Sequence, residues 1–72
     1  MIQRELPIMQ PPRAVQVLHL VRKTWDTTAL DSDMFAEFAR AVQFYLRGFS
    51  VEDTADLVVQ EFWEYMPKIG TE

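Results

Sequence analysis

"YLRGFSVEDTADL", residues 45–57, holds the punctuation that decides the fold. Gly48 suits the left-handed residue that ends many helices. Ser50 can cap the next helix, with Asp53 standing where a capping box usually carries Glu or Gln. A helix, a tight corner and a second helix are also the plan of a DNA-reading helix-turn-helix. There the second helix enters the major groove and reads base edges. Here that helix would bring Glu52, Asp53, Asp56, Glu61 and Glu64, with no Lys or Arg between Val51 and Met66. Carboxylates on that face are repelled by phosphates, so the stretch reads as a corner between two packed helices. With Gly48 beyond the helix end, Phe49 is expected to close onto Phe44.

Working outward, Val51, Ala55, Val58, Val59, Phe62, Tyr65 and Met66 recur at helical spacing and define the inner face of the third helix, which Pro67 ends. Before the corner, a second helix is expected over Ser32–Arg47. Its inner face is Met34, Phe35, Phe38, Ala41, Val42, Tyr45 and Leu46. Asp31 can accept from its free amides, and Leu30 with Phe35 occupy the two positions of a hydrophobic staple. A first helix is expected from Pro12 or Arg13 to Trp25, because proline suits a first turn. Ala14, Val17, Leu18, Leu20, Val21 and Trp25 face inward, and Arg13, Gln16, His19, Arg22 and Lys23 face outward. Links of about six and about three residues favour antiparallel neighbours. The fold class is therefore all-α: a small three-helix bundle over residues 12–67. An extended N-terminal arm over 1–11 precedes it, where Pro7, Pro11 and Pro12 oppose helix. Residues 68–72 read as a frayed tail.

Size makes this bundle marginal on its own. A chain of 72 residues buries only about 60% of the surface that its unfolded form exposes. Cysteine is absent, which removes disulfides and thiolate metal sites and leaves oligomerisation as a remedy. Hydrophobic residues make up 49% of the chain, enough to argue against disorder. Seven basic against eleven acidic residues give a net charge of −4. That sign disfavours general binding to DNA or anionic lipid. No apolar run approaches the roughly 20 residues of a membrane span, and the first residues do not read as a signal peptide. The expected setting is the cytoplasm.

Candidate chemistry is sparse. His19, the single histidine, lies on the polar face of helix 1 with no carboxylate beside it, so it lacks the orienting group of a catalytic base. "DTTALDSDMFAE", residues 26–37, has the length of an EF-hand loop, but Asp31 stands where glycine makes the turn. In "LDSD", residues 30–33, Asp31 and Ser32 resemble the phosphopantetheine attachment stretch of acyl carrier proteins. That resemblance implies Ser32 as a modified residue. Asp33 replaces the family's leucine, and the short first link departs from its long loop. "PPRAVQVLHLVRK", residues 11–23, resembles the opening of helix A in ribbon-helix-helix repressors. The resemblance implies a dimer that pairs its arms as a ribbon in the major groove. It also implies salt-sensitive duplex binding that needs residues 1–9. Pro7 would interrupt that strand, and neither candidate groove-facing set, Gln3 with Glu5 or Ile2 with Arg4 and Leu6, carries more than one basic residue. No enzyme, cofactor or metal site is expected.

Surfaces for partners remain. Helix 1 is basic and helix 3 acidic, a sorting that suits complementarity between helices or subunits. Leu57 and Trp63 fall off the core stripe of helix 3, and Val15 off that of helix 1. In the arm, Ile2, Leu6, Ile8 and Met9 add more apolar surface than three helices readily hide. These residues predict a regulatory homodimer with arm contacts at Ile2, Leu6, Ile8 and Met9. A protein partner is expected at Asp56, Leu57, Glu61, Trp63 and Glu64, where the acidic helix meets a basic surface or mimics nucleic acid.

Overall fold

The computed structural model of the chain describes residues 12–70. The arm, with Ile2, Leu6, Ile8 and Met9, lies outside the described residues, as do Thr71 and Glu72. Three α-helices follow in order: α1 (Arg13–Arg22), α2 (Ser32–Tyr45) and α3 (Val51–Phe62). Short 3₁₀ turns at Thr27–Ala29 and Trp63–Tyr65 flank them, and no strand forms among the described residues. The all-α bundle expected from the sequence is what folds.

Two of the three helix starts carry a side-chain cap, whereas α1 begins after Pro12 without one. Asp31 Oδ1 accepts from the Met34 amide at 2.8 Å, and Ser50 Oγ accepts from the Asp53 amide at 3.1 Å. Such caps contribute about 1 kcal/mol each. The ends differ from expectation. α1 stops at Arg22 rather than Trp25, because Asp26 caps a 3₁₀ turn by accepting from the Thr28 amide at 3.0 Å. α2 stops at Tyr45 rather than Arg47, and Gly48 is not left-handed; the positive φ among the described residues belongs to Gly70. Backbone bonds finish α2 instead: Gly48 and Phe49 amides donate to the Tyr45 carbonyl at 3.0 and 2.8 Å. Phe49 packs edge-on to Tyr45, at 6.2 Å between ring centroids, and not onto Phe44 as expected.

α1 and α2 both lean on α3 more closely than on each other. The buried core is Val17 and Val21 from α1, Phe38 and Val42 from α2, and Ala55, Val58 and Phe62 from α3, closed by Leu30 and Met66. Phe38 meets Phe62 edge to face at 5.4 Å. Burying a side chain of this size stabilises by about 1.5–3 kcal/mol. Tyr65, expected inside, is exposed, because the chain tightens to 3₁₀ after Phe62 and rotates the ring outward. Thr54, which the apolar pattern passed over, is fully buried, and its hydroxyl has no hydrogen-bond partner.

Contacts at both ends set the helix directions. At one end Arg13 donates to the Phe49 carbonyl at 2.9 Å and the Leu46 carbonyl at 3.4 Å. At the other, the Asp26 amide donates to the Pro67 carbonyl at 2.8 Å, and the Ile69 amide to the Thr24 carbonyl at 2.7 Å. Residues 68–70, read from sequence as the start of a frayed tail, are thus strapped across the bundle. Lys68 Nζ also lies 5.6 Å from the centroid of the Trp25 ring. The beginnings of α1 and α3 share one end and their finishes the other, with α2 running back between them.

Two substitutions test this packing by urea denaturation. Thr54→Val removes a buried unpaired hydroxyl at nearly constant volume and is expected to stabilise by about 1 kcal/mol. Gly48→Ala fills open space at an ordinary φ and is expected to stabilise by about 0.4–1 kcal/mol. A left-handed Gly48 would give the opposite sign.

Candidate interaction surface

α3 and the 3₁₀ turn after it carry the acidic residues singled out from sequence, but the fold distributes them. Its buried stripe is Thr54, Ala55, Val58 and Phe62. Helical spacing then places Asp56 on the flank toward α1 and Glu61 on the flank toward α2. Asp56 borders a depression with Leu20, Thr24, Trp25 and Val59. Glu61 borders another with Arg40, Phe44 and Tyr45. Glu64 and Trp63 belong to a third, at the strapped end, with Trp25, Tyr65, Pro67 and Lys68. Leu57, expected on the surface, is half-buried. Trp63 and Glu64, adjacent in sequence, thus line one depression, while Asp56 and Glu61 each line a different one.

Glu61 has an internal role. The Tyr45 hydroxyl donates to its carboxylate at 3.0 Å, tying α2 to α3 across the surface. The hydrogen bond to Glu61, with some desolvation and the nearby negative charge, raises the Tyr45 phenol above its ordinary value of 10.0. The basic helix is likewise engaged with neutral groups. Arg13 binds backbone carbonyls, and Arg22 Nε donates to the Thr27 hydroxyl at 2.8 Å. α2 has no basic residue in its last turn, so the Arg13 guanidinium supplies the cation that the carbonyl end of a helix favours. The ion pair of Arg40 with Glu37, at 3.4 Å, is exposed and local to α2.

Apolar surface gathers in three places. At the strapped end Trp63, Tyr65 and Ile69 are each about half exposed. At the opposite end Phe44 and Phe49 flank Tyr45 in an edge-to-face series. Between α1 and α2 runs a groove of about 140 Å³. Ala14, Val15 and Leu18 form its α1 wall, and Phe35, Ala39 and Gln43 line the α2 side over Phe38 and Val42. Sequence pattern flagged Val15 as misplaced but passed over Ala39 and Gln43. Two faces meet in this groove, and one helix's periodicity does not reveal such a meeting.

Asp26 and Asp31 are caps, Ser32 opens α2 on the surface, and His19 is exposed. Among the described residues no three His, Cys, Asp or Glu side chains gather as a ligand set, and no helix is long and apolar enough to cross a membrane. No family model, curated protein or solved structure matches the chain.

A spectrophotometric titration checks the α2–α3 link. Glu61→Gln removes the carboxylate that raises Tyr45, so tyrosinate should form at lower pH than in the native chain. A raised folded value means that the bond's contribution is full below pH 10.0 and is lost as pH rises through it. An unchanged titration in Glu61→Gln would show that the bond does not form.

Proposed function

We propose that this chain is a non-catalytic protein-binding module, an adaptor, regulator or inhibitor, that acts in the cytoplasm as a homodimer. The observation that carries the proposal is exposed apolar surface. Val15, Phe44, Phe49, Trp63, Tyr65 and Ile69 each leave between 36% and 64% of their surface open. Single exposed apolar residues are ordinary, but clusters of them mark contact sites. Trp and Tyr are the residue types most enriched where binding energy concentrates.

Trp63 with Glu64 offers the better-formed contact for a protein partner: a half-exposed indole beside a carboxylate, on a turn held by the strap. A basic, apolar surface would match it. Asp56 adds negative charge on the neighbouring flank and speeds encounter more than it adds affinity. Glu61 contributes to the same acidic field while bound to Tyr45.

Affinity capture from the native host tests the reading with three full-length forms: the native chain, Trp63→Ala, and Asp56→Lys with Glu64→Lys. Glu61 stays intact because its reversal would break the Tyr45 bond. A partner retained by the native chain should be weakened at least tenfold by Trp63→Ala, since anchor residues of this kind cost about 2 kcal/mol or more. The charge reversal should weaken it further at low salt. Light scattering should give twice the chain mass. A monomer that retains no protein would overturn the proposal. Duplex DNA binding that weakens with salt and disappears on deleting residues 1–9 would replace it with the repressor reading.

A further inference from the structure

We infer that the groove between α1 and α2 is filled by the N-terminal arm of a second copy of this chain, each arm crossing into its partner's groove. The inference rests on the homodimer proposed above and names the surface that forms it.

Position comes first. Pro12 is the N-cap of α1, and the groove's α1 wall begins at Ala14, within the first turn. Eleven residues precede Pro12, a reach of about 36 Å when extended. Pro12, to which the arm is attached, therefore lies near an apolar groove that no described residue fills.

Chemistry and size agree. The groove is walled by aliphatic and aromatic side chains, with Gln43 as its polar member. At about 140 Å³ it is close to the engineered apolar cavity of about 150 Å³ that admits benzene. That volume suits a side chain of the size of isoleucine or methionine. The arm carries Ile2, Leu6, Ile8 and Met9, and its charged side chains are Arg4 and Glu5. Ile8 and Met9 are the pair nearest the bundle.

Proline decides between the chain's own arm and a partner's. Pro12 has φ −53° and ψ 152°, a polyproline-like conformation. A proline also biases the residue before it to extended backbone, which restrains Gln10 and Pro11. A run of three residues in that form spans about 9 Å. Pro7 restrains Leu6 in the same way. A return to the chain's own groove would have to reverse at Ile8 and Met9, placing the two best plugs in the turn itself. Crossing to a second copy needs no reversal and leaves both free to insert. A two-fold axis then makes the exchange reciprocal, so one contact type closes the dimer without exposed ends.

The test mixes two full-length populations. One carries a nitroxide on Gln10→Cys, made unique by the absence of native cysteine. The other is isotope-labelled and carries no nitroxide. Arm exchange predicts paramagnetic broadening of the Val15, Ala39 and Gln43 amides in the isotope-labelled chains. Ala39→Glu, at an exposed position on the groove wall, should raise the dimer dissociation constant at least tenfold with helix content unchanged. Met9→Glu should do the same from the arm side. Broadening confined to samples with both labels in one chain would overturn the inference in favour of an arm folded onto its own groove. A dimer by light scattering with no groove broadening would overturn it while leaving the homodimer intact. A monomer with no broadening would remove both.

Discussion

α3 is the element on which the other two helices lean. It offers buried residues to both neighbours, with Ala55 and Val58 on the broad inner stripe and Phe62 against Phe38. α1 and α2 each pack on it more closely than on one another. Three helices of ten, fourteen and twelve residues cannot maximise all three contacts around so few large side chains. Closeness on two sides leaves a gap on the third. The groove lined by Val15, Leu18, Phe35 and Ala39 is that gap, and its apolar character follows from its being a seam of the core.

A core this small needs help at its ends, and the first residue of α1 and the segment after α3 supply it. Arg13 reaches from the start of α1 to carbonyls beyond the end of α2. A charge-assisted bond of this kind contributes more than a neutral one, although exposure to water reduces it. At the other end the strap of residues 66–70 returns Met66 to the interior and bonds its backbone to Thr24 and Asp26. These contacts join segments far apart in sequence, so each constrains the helix order as well as the stability. They also explain why Trp63 and Tyr65 are exposed: the turn that delivers Met66 inward points its neighbours out.

Much of this architecture was legible in the sequence. Asp31 and Ser50 announced two helix starts, and both side chains accept the expected amides. The 3.6-residue pattern identified Val17, Val21, Phe38, Val42, Val58 and Phe62 as core. Helix ends were less legible, because they depend on tertiary bonds that local pattern does not encode. Trp25 fits the α1 stripe but is drawn out to pair with Lys68. Gly48 looked like a left-handed stop, yet the Tyr45 carbonyl accepts enough backbone bonds to end α2 at an ordinary φ. Thr54 was missed because a hydroxyl reads as surface, although threonine is close to valine in shape. The candidate surface was legible in part. Trp63 and Glu64 do adjoin, but Asp56 and Glu61 fall on opposite flanks, a division set by which neighbour each faces.

That division bears on how an acidic helix can serve recognition. If the carboxylates of α3 formed one face, they would act as a single charged patch and could imitate a run of phosphates. Instead Glu61 accepts from Tyr45, Asp56 borders the α1 side, and Glu64 stands beside Trp63. Glu52 shares the α1-side depression with Asp56, while Glu61 and Glu64 each adjoin an aromatic ring. A partner matching this surface would insert apolar side chains and meet Asp56, Glu61 and Glu64 at separate places. Affinity would then come from the apolar contacts, because burying an indole stabilises by more than an exposed ion pair does. The charges would fix orientation and disfavour acidic competitors. Three thin helices leave apolar seams uncovered, and it is on those seams that the proposed contact with another chain rests.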